Sequence, residues 1–392
     1  STISGNTGSN FGGGIVNSFG TLTVSNSTIS GNMAINGGGI GSGLGATLTV
    51  TNSTISGNTA TGGSGGGIFS NGTVAVTNAT ISGNTATGSF GGGLFINTTA
   101  VLTVTNSTIS GNTASSTGGG IFNDGTLQAS NTIVAGNGGS DVSGAPLATD
   151  LSNLIGVPGG LTLADILDPA GLADNGGPTE TIALALVAGN PAIDTGDDPA
   201  CTAAPVSGLD QRGLPRDTVG CDIGAYEAQD PTIASVGPIS VPADDPTGAT
   251  VTYTAPAATD EQGNSLAVGC TPPSGSLLPI GTTTVVCTAT DGAGHVASTS
   301  FDVTVEPYVA PSPSPSPSPS LGPSAEPSPS PSPSPSPSPS GDGGVGTLTP
   351  PPTETVGTGP GEGGSPLLPA LLVLLATGLL ASTARWSPLR RR

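Results

Sequence analysis

Apolar residues alternate with Thr and Ser in a short run that returns five times along the first third of the chain. It reads TLTV from Thr21 and Thr47, TVAV from Thr73, VLTV from Val101 and TLQA from Thr126. Strict alternation over four to eight residues predicts a half-buried strand, and no stretch here shows the 3.6-residue period of a helix. The run is followed by NSTISGN from Asn26, Asn52 and Asn106, by NATISGN from Asn78 and more loosely by NTIVAGN from Asn131. GGGI or GGGL starts at Gly12, Gly37, Gly65, Gly91 and Gly118. Aligned on the last Asn of each unit (Asn6, Asn32, Asn58, Asn84, Asn112, Asn137), the steps are 26, 26, 26, 28 and 25 residues. A fixed period in the twenties predicts a solenoid. Leucine-rich repeats share this length, but their Leu and Asn spacing is absent.

The unit fits one coil of a parallel β-helix: about three short strands joined by Gly and Asn turns. Coils stack at roughly 4.8 Å, the strand spacing, so equivalent residues lie above one another. Ile29, Ile55, Ile81 and Ile109 are then expected to form an apolar column that Val134 continues. Asn32, Asn58, Asn84 and Asn112 are expected to form a second column, with side-chain amides hydrogen-bonded along the stack. Leu22 and Val24, with their equivalents Leu48 and Val50, belong to the inward stripe, and the Thr and Ser between them point outward. Phe11, Phe69, Phe95 and Phe122 recur near the Gly turns and are expected as internal stacks.

Units of the form TLTVTNSTISGNTA…GGGIF resemble the right-handed parallel β-helix repeats of bacterial surface and autotransporter-type proteins, over residues 1–140. Many right-handed β-helices cleave acidic polysaccharides, and such enzymes need carboxylate clusters, often Ca²⁺, and a basic or acidic partner. Residues 1–140 carry one charged residue, Asp124. The G-x-S-x-G at Gly62–Gly66 reads as a Gly-rich turn, because the sole His of the chain is His295 in another domain. The repeated N-x-[ST] sequons read as column chemistry rather than glycosylation sites. The outward row Thr28, Thr54, Thr80, Thr108 is a weak match to an ice lattice, and its neighbour Thr23, Thr49, Ala75, Thr103, Gln128 is broken.

After Asn137 the period stops, and residues 141–229 change style. DNGGPT from Asp174, NPAIDTG from Asn190, DQRG from Asp210 and CDIGAYE from Cys221 resemble the C-terminal part of choice-of-anchor Q proteins, bacterial surface β-helices with interchangeable anchors. The segment is expected to cap the open solenoid end, which would otherwise expose unpaired strand edges. Asp194, Asp197, Asp198, Asp210, Asp222 and Glu227, with Arg212 and Arg216, form its polar network; a Ca²⁺ site is the alternative, though no Ca²⁺-loop spacing is present. Cys201 and Cys221 are expected to pair across it, contributing on the order of 3 kcal/mol.

Residues 230–307 alternate again in TVTYTA, TTTVVCTAT and SFDVTV, which predicts six or seven short antiparallel strands in a small sandwich. The core CTPPSGSLLPIGTTTVVCTATDGAGH, Cys270 to His295, resembles the hyalin repeat (HYR), an immunoglobulin-like extracellular module linked to adhesion and protein contacts. Other cysteines often found in that family are absent, which leaves Cys270 and Cys287 to bond. His295 follows a Gly-containing turn and is read as a solvated loop residue.

Composition sharpens the setting. The 392 residues contain no Lys, six Arg and 26 Asp and Glu, for a net charge of −20, which argues against nucleic acid as a partner because phosphate binding needs clustered cations. Paired cysteines suit an exported, oxidising environment. The sequence opens inside a repeat unit, and we read it as an N-terminally truncated or processed form. Residues 308–365 are Pro/Ser tracts with a Gly-rich end, expected as a disordered, extended stalk. Leu367 to Ala384 is an uncharged run of eighteen residues, followed within residues 366–392 by Trp386 and four Arg. This pattern predicts a transmembrane helix with a basic cytoplasmic tail and with residues 1–365 outside. A sorting signal is the second reading, although no LPxTG precedes the run.

The expected architecture is therefore all-β: a right-handed parallel β-helix with cap, an immunoglobulin-like sandwich, a disordered linker and one C-terminal transmembrane helix. The expected role is non-catalytic adhesion or binding of extracellular glycan or surface protein by a membrane-anchored bacterial cell-surface protein. No cofactor or metal is called for. The competing readings are a polysaccharide lyase or hydrolase with its active coils upstream, and a passive structural stalk.

Overall fold

The structure, a computed structural model, describes residues 1–312; the Pro/Ser tract beyond them and the expected membrane segment Leu367 to Ala384 lie outside the described residues. Among the described residues no helix is long and apolar enough to cross a membrane.

The repeats form a β-solenoid of parallel strands in three sheets. The first sheet is eleven-stranded and takes the TLTV and TIS segments; in two coils these merge into ten-residue strands, Thr47–Ser56 and Thr73–Ser82. The second contains two-residue strands such as Thr59–Ala60, and the third contains six GIF-type strands such as Ile68–Ser70. Asn26, Asn52, Asn78, Asn106 and Asn131 bend the chain between TLTV and TIS with φ of 45° to 47°. Asn adopts this left-handed conformation at less cost than other side chains. The Gly triplets answer a different need. A Cβ on Gly38, Gly66 or Gly92 would run into the backbone of the next coil, so only Gly permits the coils to approach there.

Register fixes the columns. Ile3, Ile29, Ile55, Ile81, Ile109 and Val134 stack in successive coils, and Ile29 through Ile109 are fully buried. The Asn column runs beside them. Asn32, Asn58, Asn84 and Asn112 each give their backbone N–H and Nδ2 to the Oδ1 of the next Asn at 2.9–3.0 Å. The second Nδ2 hydrogen reaches back to Ile3, Ile29, Ile55 and Ile81 carbonyls at 2.8–2.9 Å. Every polar atom of these buried amides is thereby used, as burial requires.

Two features depart from expectation at this level. The Phe stack is not internal. Phe69, Phe95 and Phe122 stack with centroids 4.9 and 5.5 Å apart, but each sits mid-strand between inward residues and so lies, half-buried, on the outer face. Their ring faces cover one another and leave only edges outward. The solenoid also continues past Asn137: Val142–Gly144, Thr149–Leu151 and Leu154–Ile155 add further strands, and Asp141 Oδ1 accepts from Asn137 N and Nδ2 at 2.9 and 2.8 Å, ending the ladder with a carboxylate.

Residues 163–229 do not simply close the open end. They form a strap along the solenoid flank. It contains an antiparallel pair, Leu167–Ala173 with Thr181–Leu184, and a short helix, Asp198–Thr202, N-capped by Asp197. A disulfide joins Cys201 to Cys221. Beyond it lies a β-sandwich-like region of eight strands with a second disulfide, Cys270–Cys287. One of its pairs, Ile239–Pro242 with Val296–Glu306, is parallel rather than antiparallel. Val285, Cys287, Phe301, Val303 and Val305 fill its core.

The ladder predicts a position-dependent cost. Asn84→Ala strands the Asn58 N–H and Nδ2 and the Ile55 carbonyl in the core and should cost roughly 3 kcal/mol or more in urea unfolding. Asn6→Ala, at the exposed end, should cost about 0.5 kcal/mol or less. Equal costs would show that the ladder is not stabilising.

Candidate functional site

The strap is where the polar chemistry of the described residues collects. It begins against the Thr row that alternation assigns to the outside. Thr54, Thr80 and Thr108 do point away from the solenoid core, yet all three are fully buried, because the strap covers them. Gln211 is the central contact. Its Nε2 donates to Thr54 Oγ1 at 3.0 Å and Thr179 Oγ1 at 2.9 Å, and its Oε1 accepts from Thr80 Oγ1 at 2.7 Å. The Ala225 N–H donates to Thr108 Oγ1 at 3.0 Å. The corner Asn residues are engaged too: Asn78 Nδ2 donates to the Leu209 carbonyl at 2.8 Å, and Asn131 Oδ1 accepts from Asp197 N at 2.7 Å. The Cys201 sulfur lies 3.1 Å from Asn106 Nδ2 and 3.2 Å from that of Asn131, so the disulfide sits directly on the solenoid. The row cannot bind an ice lattice, since the strap occupies it.

The DQRG and CDIGAYE motifs build a buried charge cluster on the far side of Gln211. Arg212 Nε pairs with Asp210 Oδ2 at 2.7 Å, its Nη2 donates to the Glu227 carbonyl, and its guanidinium lies 3.6 Å over the Tyr226 ring. Arg216 Nη1 pairs with Glu227 Oε2 at 2.8 Å, and its Nη2 donates to the Gly224 carbonyl at 2.7 Å. Glu227 also accepts from the N–H groups of Asp217 and Asp222, both at 2.9 Å. The Asp222 carboxylate has no cation in hydrogen-bond contact; it accepts from Asp194 N and Ala228 N at 2.9 and 2.6 Å, while Arg216 Nη1 reaches only the Asp222 backbone carbonyl at 3.2 Å. Burial, followed by the negative charge of Glu227, pushes its carboxyl well above the usual range. Burial likewise raises Glu227 despite its Arg216 partner. Burial is the largest influence on Arg212 and opposes its charge, but Asp210, Tyr226 and Glu261 together outweigh it and hold the guanidinium above its ordinary value.

This arrangement is a structural clamp in its chemistry. Asp210, Asp222 and Glu227 are at most 1 % exposed, so no substrate reaches them, and their oxygens already accept from backbone amides and guanidinium groups. Among the described residues no group of three or more His, Cys, Asp or Glu is arranged to hold a metal ion. The acidic set expected to act together is divided: Asp210, Asp222 and Glu227 converge, whereas Asp197 caps the short helix and Asp198 accepts from Gly220 N and Cys221 N at the disulfide. His295 is not solvated. Its side chain is 11 % exposed, with Nδ1 3.0 Å from Asp291 Oδ2 and Nε2 3.9 Å from Asp194 Oδ2. Sequence reasoning missed Gln211 and Glu261. The former stood in a quoted motif, but nothing in local spacing points to a Thr 157 residues away.

Comparison with known proteins gives one match. The family model of the HYR domain matches residues 235–305. No curated protein and no solved structure matches the chain.

The raised carboxyls set the sign of a pH dependence. Folding raises the proton affinity of the Asp222 and Glu227 carboxyls above that in the unfolded chain. The stability they confer is full below the ordinary carboxylate range and is lost as pH rises through the raised folded values. Asp165 and Asp245, lowered by hydrogen bonds from Thr162 and Thr247, act oppositely but only below the ordinary range. The melting temperature should therefore be higher at pH 5 than at pH 7, and the difference should persist in high salt, which screens surface repulsion. A lower melting temperature at pH 5 would contradict the assignment.

Proposed function

We propose that this is a bacterial cell-surface protein that acts without catalysis, in adhesion or surface binding of glycan or protein. The observation that carries the reading is the part of the first sheet that the strap leaves open. Thr21, Thr47, Thr73, Val101 and Thr126 form one column of its outer face, and Thr23, Thr49, Ala75, Thr103 and Gln128 form the next, in register over five coils. These positions are exposed or half-exposed and carry no charge. Seven of these ten positions are Thr, and with coils spaced at roughly 4.8 Å along the stack their hydroxyls, with the Gln128 amide, offer many weak hydrogen bonds to an extended, polyhydroxylated polymer. The two arginines of the strap, by contrast, are held in buried ion pairs.

The extracellular setting draws on the HYR match and on the four strap motifs that resemble choice-of-anchor Q proteins. Anchoring by Leu367 to Ala384, with the Arg-rich tail inside, belongs to the same proposal. A stalk of Pro and Ser would then hold the folded modules away from the membrane.

The test is retention of polysaccharides and of whole cells by the full chain, with the recovered glycan sized. Binding of intact glycan is expected. Replacing Thr49 and Thr103 together by Lys should weaken it about tenfold or more while changing stability by no more than about 0.5 kcal/mol per site, as for surface positions. Shortened glycan would overturn the non-catalytic reading, and absence of any retention would leave a passive stalk.

A further inference from the structure

The strap ends directly in the HYR module. Glu227 and Ala228 are buried, and the first strand of the module begins at Thr232. Two loops of the module fold back onto the strap. The first is the turn at residues 260–264, in which Asp260 Oδ1 accepts from Asn264 N at 2.8 Å. It presents Glu261, whose Oε2 lies 3.2 Å from Arg212 Nη1 and whose side chain is 9 % exposed. The Asp210–Arg212 pair is thus extended by a carboxylate from a different domain. The second is the loop at residues 291–295. Asp291 Oδ1 accepts from the N–H groups of Ala293, Gly294 and His295 at 2.8–2.9 Å, which fixes the loop's shape. Ala293 packs into the hydrophobic cluster of the strap, which includes Leu167, Ile182, Leu184 and Ile223. Gly292 lies so close to the Leu186 carbonyl that a Cβ would enter the oxygen's van der Waals shell. His295 sits between Asp291 of the module and Asp194 of the strap.

We propose that the HYR module acts in this chain as the lock of the strap: its Glu261 turn and its 291–295 loop form a docking surface for the strap and hold it on the solenoid flank. The interaction is one of shape as well as charge. Arg212 is buried, and its Nη1 meets a side-chain carboxylate only through Glu261. A buried cation that loses such a partner destabilises what surrounds it. The consequence for function is definite. These two loops are occupied by the chain itself, so an external partner of the module must use its other surfaces. This inference is independent of what the open Thr face binds.

Amide hydrogen exchange on the full chain tests it, using Glu261→Gln and Gly292→Ala. The first weakens the charge contact and the second pries the loop from Leu186. Both variants are expected to speed exchange at the strap amides of Leu214, Asp217 and Ala228, which donate to the cluster carboxylates, by about tenfold or more. Asn58 and Asn84 in the solenoid should keep their rates. Wild-type strap rates, together with faster exchange at Ala293 and Gly294, would overturn the proposal, since the strap would then stand without its lock. Should Gly292→Ala also loosen the sheet of the module, seen at Val285 and Val303, the Glu261→Gln result decides.

Discussion

Each coil must present its neighbour with the same side chain at the same height. This constraint governs the rest of the structure. A side chain in the Asn column receives two hydrogen bonds from the coil before it and returns one, so a coil with any other residue there would strand polar atoms in the core. The apolar column obeys the same rule through packing, because a smaller residue than Ile at position 55 or 81 would open a cavity between two fixed layers. Repetition in the sequence is therefore the chemical condition for stacking. The Gly triplets and the left-handed Asn corners exist to let identical coils approach closely enough for the columns to form.

A stack of this kind has a weakness on its flank. Strands that alternate apolar and hydroxyl residues leave rows of Thr and Ser outside, and nothing in the coil itself decides whether those rows meet water or protein. The strap settles this for one row. Gln211 bridges Thr54 and Thr80, in successive coils, and Ala225 reaches Thr108 two coils beyond Thr54. Both cations of the strap, Arg212 and Arg216, lie behind these contacts in buried ion pairs, and the neighbouring open columns carry no charged side chain. Division of labour between a charged, buried clamp and an uncharged, exposed face is the feature that connects the fold to the proposed role in surface binding.

The solenoid was legible in the sequence because its determinants are local and periodic. The spacing of Asn32, Asn58, Asn84 and Asn112 is itself the coil length, and Ile29 to Ile109 follow at the same interval. The strap was legible only as a change of style. Its motifs were visible, and the disulfide pairing followed from proximity in the chain, but its seat on the flank depends on contacts more than a hundred residues apart that no period encodes. The Phe residues mislead for a related reason: in Ile68–Ser70, Leu94–Ile96 and Ile121–Asn123 the two flanking side chains point inward and the middle one outward, and an aromatic there looks like a core residue until the register is known. His295 looks solvated from sequence because its turn resembles a surface loop; it is the docking of one domain on another that covers it. Glu261 carried no signal, since a lone carboxylate in a turn resembles any solvated charge.

Solenoid, strap and HYR module are joined into one mechanical unit by buried side-chain ladders and the charge cluster. Scanning calorimetry of the full chain with its disulfides intact tests this most directly. A single transition is predicted, with calorimetric and van't Hoff enthalpies in agreement. Two or more separable transitions, one of them belonging to the HYR module alone, would contradict it.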